Sequence, residues 1–221
     1  MRSASFCLAL TFAACGSRSD PDRPPLDGAV CAASAGGFST TLDNPFFPLP
    51  TGGAAWVLEG GGERVEIRAL DETEVVAGVT TRVVEERETE DGELTEISRN
   101  FMVQAADGTV CYYGEDVDLY EGGVVVGHGG AWRAGVNGAE PGILMPGAPA
   151  VGQWYRQETA IGVAEDRAEH VAMGQSVSVT AGTFTDTLRV EEWSPLDSGT
   201  SLKVYVRGVG LIIDQPVERI P

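Results

Sequence analysis

The sequence predicts an all-β chain: an antiparallel up-and-down meander rolled into a curved barrel or half-barrel, with one long Gly/Pro-rich flap. Three observations carry this. Apolar and polar residues alternate with a period of two, 29 of the 221 residues are glycine, and tight-turn dipeptides separate short apolar bursts. A period of two is what a strand shows when one face is dry and the other wet.

The clearest pair of strands lies at residues 183–193 and 201–213. Phe184, Leu188 and Val190 share one face of the first, and Thr183, Thr185, Thr187, Arg189 and Glu191 the other. After a turn at 195–199, Leu202, Val204 and Val206 oppose Lys203, Tyr205 and Arg207. Upstream, the prolines of Asn44-Pro45-Phe46-Phe47-Pro48 bar a helix, and the two phenylalanines are placed to plug an open end of the sheet. Strands follow at 54–59, 63–69, 74–76, 79–88, 93–104 and 109–113. Asp91-Gly92 and Asp107-Gly108 mark hairpins, because the glycine takes positive φ without cost. Further strands are expected at 154–159, 165–173 and 176–181. The glycines and prolines of 127–152 surround Trp132, Ile143, Leu144 and Met145, so this stretch reads as an ordered flap. Whether it covers a pocket or only a sheet edge stays open.

The first 14 residues read as an export signal, with Arg2 ahead of a short apolar run too short to span a bilayer. Phe12-Ala13-Ala14-Cys15 resembles the lipobox of bacterial lipoproteins, which implies a lipid on Cys15 and membrane attachment without a spanning helix. Residues 15–30 read as a flexible tether and 31–221 as a single β-barrel-like domain. With Cys7 lost and Cys15 lipidated, Cys31 and Cys111 remain to pair, or to stay as buried thiols. A formal charge of -18 argues against a nucleic-acid partner.

Catalytic signatures such as Gly-x-Ser-x-Gly, His-Glu-x-x-His and Cys-x-x-Cys do not occur in the sequence. His170, close to Glu165, Asp166 and Glu169, reads as a surface histidine, and the acidic run 85–93 as a solvated hairpin tip. Counting by two places Arg99 with Ile97, Phe101 and Val103, places Arg156 and Glu158 with Trp154, and places Asp186 and Glu192 with Leu188 and Val190. Buried charges need partners, so Arg99, Arg156, Glu158, Asp186 and Glu192 are expected to meet inside and orient a ligand's polar group. A structural network, or a bulge that flips one strand's phase, is the alternative.

Asn44-Pro45-Phe46-Phe47-Pro48-Leu49, Gly114-Glu115-Asp116, residues 134–142, Tyr155-Arg156-Gln157-Glu158, Ala164-Glu165-Asp166 and Gly208-Val209-Gly210-Leu211 resemble a set found in uncharacterised secreted proteins and lipoproteins of bacteria. Gly182-Thr183-Phe184 and the Gly-Val-Gly-Leu ending also resemble the lipocalin-like half-barrels of periplasmic lipid-handling proteins. The resemblance implies a place in the bacterial cell envelope, facing periplasm or exterior, and carries no activity. The leading expectation is a lipid-anchored binding protein for a small, partly apolar ligand, or an envelope accessory. A second is a calcium-binding module using Glu115, Asp116, Glu165 and Asp166, with Asp118 nearby. A third is an enzyme with Glu158 and Asp166 as a carboxylate pair. No cofactor other than that calcium is expected.

Overall fold

The computed structural model describes residues 18–221 and is all-β, as the alternation predicts. The predicted signal and Cys15 lie outside the described residues. Among the described residues helix is confined to two 3-10 turns, Gly28–Cys31 and Ala33–Ala35. None of it is long and apolar enough to cross a membrane.

Two short strands, β1 (Asp43–Asn44) and β2 (Phe47–Pro48), pair with each other. They deliver Phe46 and Phe47 into the core, where Phe47 packs edge-on to Trp56. A meander of β3 (Trp56–Gly60), β4 (Glu63–Val76), β5 (Val79–Glu90), β6 (Glu93–Gln104) and β7 (Val110–Glu121) follows. The β5–β6 turn places Asp91 at φ 50° and Gly92 at φ 84°, as a two-residue hairpin with the right-handed twist of its strands requires.

The predicted flap is part of the sheet. Three short strands, β8 (Val124–Gly127), β9 (Trp132–Arg133) and β10 (Gly142–Met145), all pair with β7. After β11 (Trp154–Arg156) and β12 (Arg167–Met173), a separate hairpin of β13 (Val177–Val179) and β14 (Gly182–Phe184) interrupts the run. It is completed by β15 (Thr187–Trp193), β16 (Ser201–Val206), β17 (Gly210–Asp214) and β18 (Val217–Arg219), and β18 pairs back onto β3. The 14-stranded antiparallel sheet curls until its terminal strands, β10 and β11, lie side by side. They do not join in a ladder, so the sheet is curved rather than closed.

Apolar side chains are buried on both surfaces of this sheet. The main core fills the concave side and the covered parts of the convex side. A second cluster of Val204, Val206 and Ile212 is packed with Val177, Val179 and Phe184 of the β13–β14 hairpin. A disulfide joins Cys31 to Cys111, with Cα atoms 5.5 Å apart, and ties the N-terminal segment to β7. That segment is bound earlier than a free tether would be. Arg18 pairs with Glu169 and Glu191 and lies over the Trp193 ring, and the Leu26 amide donates to Trp154 O at 2.8 Å.

An acid-lined interior as candidate functional site

One end of the concave side is acidic. Inward positions on β5 are Val84, Glu86 and Glu88, and the register sets Glu86 against Ser98 and Glu88 against Glu96 of β6. The turn residues 90–93 are exposed, as the charge of the run 85–93 predicts, but Glu86 is 3% exposed and so departs from a solvated tip, and Glu96 beyond the run is 8% exposed. Facing them across the interior are Glu192 of β15, Lys203 of β16 and Asp214 of β17. Lys203 Nζ lies 3.1 Å from Glu192 Oε2 and 3.4 Å from Asp214 Oδ2, and Gln157 Nε2 donates to Glu192 Oε1 at 2.8 Å. Deeper along β7, Glu115 sits beside Tyr112, whose hydroxyl donates to Asn100 Oδ1 at 2.5 Å. Glu158 accepts from Trp132 Nε1 at 3.4 Å.

Among the described residues Lys203 is the one buried lysine or arginine, against buried Glu86, Glu96, Glu115, Glu158, Asp166 and Glu192. Such an excess is costly in a low dielectric, and burial pushes Glu86, Glu96, Glu115 and Asp166 toward their neutral forms. Burial, reinforced by Glu88, pushes Glu96 up to about 8. Burial and Asp214 raise Glu88 to about 7. Asp214 rises to about 6 through burial, with Lys203 pulling the other way. Burial followed by Glu192 lifts Asp166 to about 6. Glu86 and Glu115 are also raised well above the ordinary carboxyl value, again mainly by burial. For Lys203 burial opposes the charge, but Asp214, Glu192 and Glu86 outweigh it and hold the ammonium on.

The acidic end opens through a cleft of about 40 Å³. Glu86, Glu88 and Asp214 line it together with Thr95 and Ser201, and Val65, Pro216 and Val217 give it an apolar wall. Glu86 is buried there and shares a side-chain hydrogen bond with Glu88. A wider, solvent-open depression beside Phe38, Ser39, Thr40 and Thr80 has no ionisable side chain in its lining.

Several residues expected inside lie outside. Arg99 pairs with Glu72 on the convex face and stands 3.8 Å from Glu85. Arg156 is exposed. Asp186, at φ 56°, breaks the predicted 183–193 strand and pairs with Arg207 at 2.8 Å on the surface. One cause accounts for Arg99 and Arg156. The convex face is itself covered, so its apolar residues are buried and mimic an interior stripe. Phe101, in phase with Arg99, lies under the Arg133 guanidinium at 4.4 Å. Trp154, in phase with Arg156, is capped by the N-terminal segment, its Nε1 donating to Arg23 O at 2.7 Å. Likewise Val204 and Val206 face the β13–β14 hairpin, which turns Lys203 and Tyr205 inward.

Glu158 and Glu192 are inside as expected. The four carboxylates read as a calcium set do not converge. Glu115 and Asp166 are interior, Asp116 pairs with Arg133 at 2.6 Å outside, and Glu165 accepts from the Gly162 amide. Among the described residues no group of three His, Cys, Asp or Glu side chains is arranged to hold a metal ion. Glu158 and Asp166 are not set up as an acid–base pair, since Glu158 faces Trp132 while Asp166 faces Glu192 and Ser194. His170 is fully buried rather than at the surface. Its Nε2 meets Tyr155 OH at 3.1 Å, and burial lowers it to about 4. The alternation count passed over Glu86, Glu88, Glu96, Lys203 and Asp214. One sequence feature marks the place: Lys203 is the chain's single lysine beside 14 arginines, and it stands in mid-strand.

No protein-family model, no curated protein and no solved structure matches the chain.

Proposed function

We propose that this is a binding protein of the bacterial cell envelope, held at the membrane by a lipid on Cys15, which takes a small positively charged ligand into the acidic cleft. The observation that carries the reading is the cleft itself, where buried Glu86 stands with Glu88 and Asp214 against an apolar wall. The cleft holds far less than the ~300–1,000 Å³ typical of drug-sized ligand pockets, so a charged head group rather than a bulky apolar body is its natural occupant. An extracytoplasmic location is consistent with the Cys31–Cys111 disulfide.

The test is calorimetric titration of the chain with a panel of inorganic and organic cations. The reading requires at least one to bind, and to bind at least tenfold more weakly to Glu86→Gln. Binding of none, or binding indifferent to Glu86→Gln, would refute it. The anchor is tested separately: Cys15→Ser should move the protein from the membrane fraction to the soluble fraction of the host.

A further inference from the structure

We infer that the protein rests on its bilayer by one rim of the sheet, with the loop tips at Ile161, Val163 and Leu196 entering the lipid surface. This rests on the lipid on Cys15 proposed above, and it adds which face of the domain that lipid draws down.

The length of free chain comes first. Residues 18–26 lie as a strap across the convex face. The Leu26 amide donates to Trp154 O at 2.8 Å, and Trp154 Nε1 donates to Arg23 O at 2.7 Å. Arg23 also donates to Gly152 O and pairs with Glu169, and Asp20 stands 2.8 Å from Arg167. Arg18 ends the strap, paired with Glu169 and Glu191 and 4.1 Å from the centre of the Trp193 ring. Cys15 is three residues further on. An extended chain covers at most ~3.3–3.6 Å per residue, so the lipid-bearing residue lies within about 11 Å of Arg18. A tether free as far as Leu26 would reach about 40 Å and leave the orientation of the domain open.

The register identifies the rim. Arg167 pairs with both Arg156 and Trp193, and Glu192 pairs with Ser201. The loops 157–166 and 194–200 therefore leave the sheet at one rim, the one at which the strap ends over Trp193. There a bridge between Ala160 and Ala164 closes a tight loop, and its tip leaves Ile161 86% exposed and Val163 42%. Leu196 in the neighbouring loop is 48% exposed. Large apolar side chains on loop tips gain nothing from water, whereas a lipid surface buries them. Two independent observations thus coincide at one rim: the end of the pinned strap and the exposed apolar tips. Arg156, exposed at the end of β11, adds a cation within reach of lipid phosphate.

Charge sets the tilt and the kind of lipid. On the opposite side of the same rim the β5–β6 turn exposes Glu90, Asp91 and Glu93, which lipid phosphates repel. The side formed by β11, β12, β15 and β16 therefore leans onto the bilayer. A zwitterionic surface suits a chain of formal charge -18 better than an anionic one.

The experiment takes the acylated protein from its host into phosphatidylcholine vesicles, with one nitroxide label on Ile161→Cys, Leu196→Cys or Val75→Cys. Val75, 62% exposed, lies at the opposite rim beside the β4–β5 turn and is the reference. Cys31 and Cys111 are buried in their disulfide, so the label goes to the introduced thiol. Power-saturation EPR reads the ratio of oxygen to nickel-chelate accessibility at each label. The expected result is a severalfold higher ratio at one or both tips than at Val75, and two tip positions keep a single perturbed loop from deciding the matter. Acylated, vesicle-bound protein with a ratio at both tips no higher than at Val75 would overturn the orientation and leave the anchor standing. Protein that carries no acyl chain by mass spectrometry would overturn the anchor and the orientation with it.

Discussion

At the scale of single residues, the interior stands on a contest between burial and charge. Lys203 is tied to Glu192 and Asp214, and removing it leaves two carboxylates in a dry environment. Breaking a buried pair by deleting one partner costs about 3–5 kcal/mol. Lys203→Met should therefore lose about that much stability in urea denaturation at pH 7.5. The deficit should shrink at pH 5, where Asp214, held at about 6, is neutral. Glu96 and Glu88 give a second expectation. An acid whose pKa is raised in the fold lends stability that is complete below its ordinary value near 4.5 and lost as pH climbs through the folded value. With folded values of about 7 and about 8, the melting temperature should fall between pH 6.5 and pH 8.5. His170, lowered to about 4, stays neutral in that window and does not mask the effect. Glu96→Gln should remove much of the fall and add on the order of 1–3 kcal/mol at pH 8.5. A thermal-melt series across pH for both proteins measures it.

At the scale of elements, the seam between β10 and β11 is set by one glycine. A Cβ on Gly142 would stand 2.0 Å from Gln157 O, so a methyl group there forces the two end strands apart. Gly142→Ala should cost about 2–4 kcal/mol, the range of severe backbone clashes. By contrast Gly61→Ala, at φ 61° with open space around it, should cost only about 1–2 kcal/mol. Chemical denaturation of both variants separates clash from conformation. The same elements show how far the sequence could be read. Strand existence and the hairpins at Asp91-Gly92 and Asp107-Gly108 were legible because turn chemistry and period-two patterning are local. Inside and outside were not. Phe101, Trp154, Val204 and Val206 are buried on the convex face by segments remote in sequence, and no local count reveals a cover supplied by residues 18–26 or 133–139. Local alternation therefore puts Arg99 and Arg156 inside and passes over Glu86 and Lys203.

At the scale of the molecule, a curved sheet with an apolar belly and one acidic end joins a fold that tolerates buried charge to a mouth that can use it. The Cys31–Cys111 bond closes a separation of 80 residues and anchors the convex cover, so the double variant Cys31→Ser/Cys111→Ser should lose about 2–4 kcal/mol of stability. The formal charge of -18 overstates the ionised surface, because it counts buried carboxyls such as Glu86 and Glu96 that are pushed toward their neutral forms. The central claim is that burial holds Glu86, Glu88 and Glu96 toward their protonated forms. Carbon-detected NMR titration of the glutamate carboxyls tests it most directly. The account predicts that all three titrate well above 4.5. Titration of all three near 4.5 would contradict it.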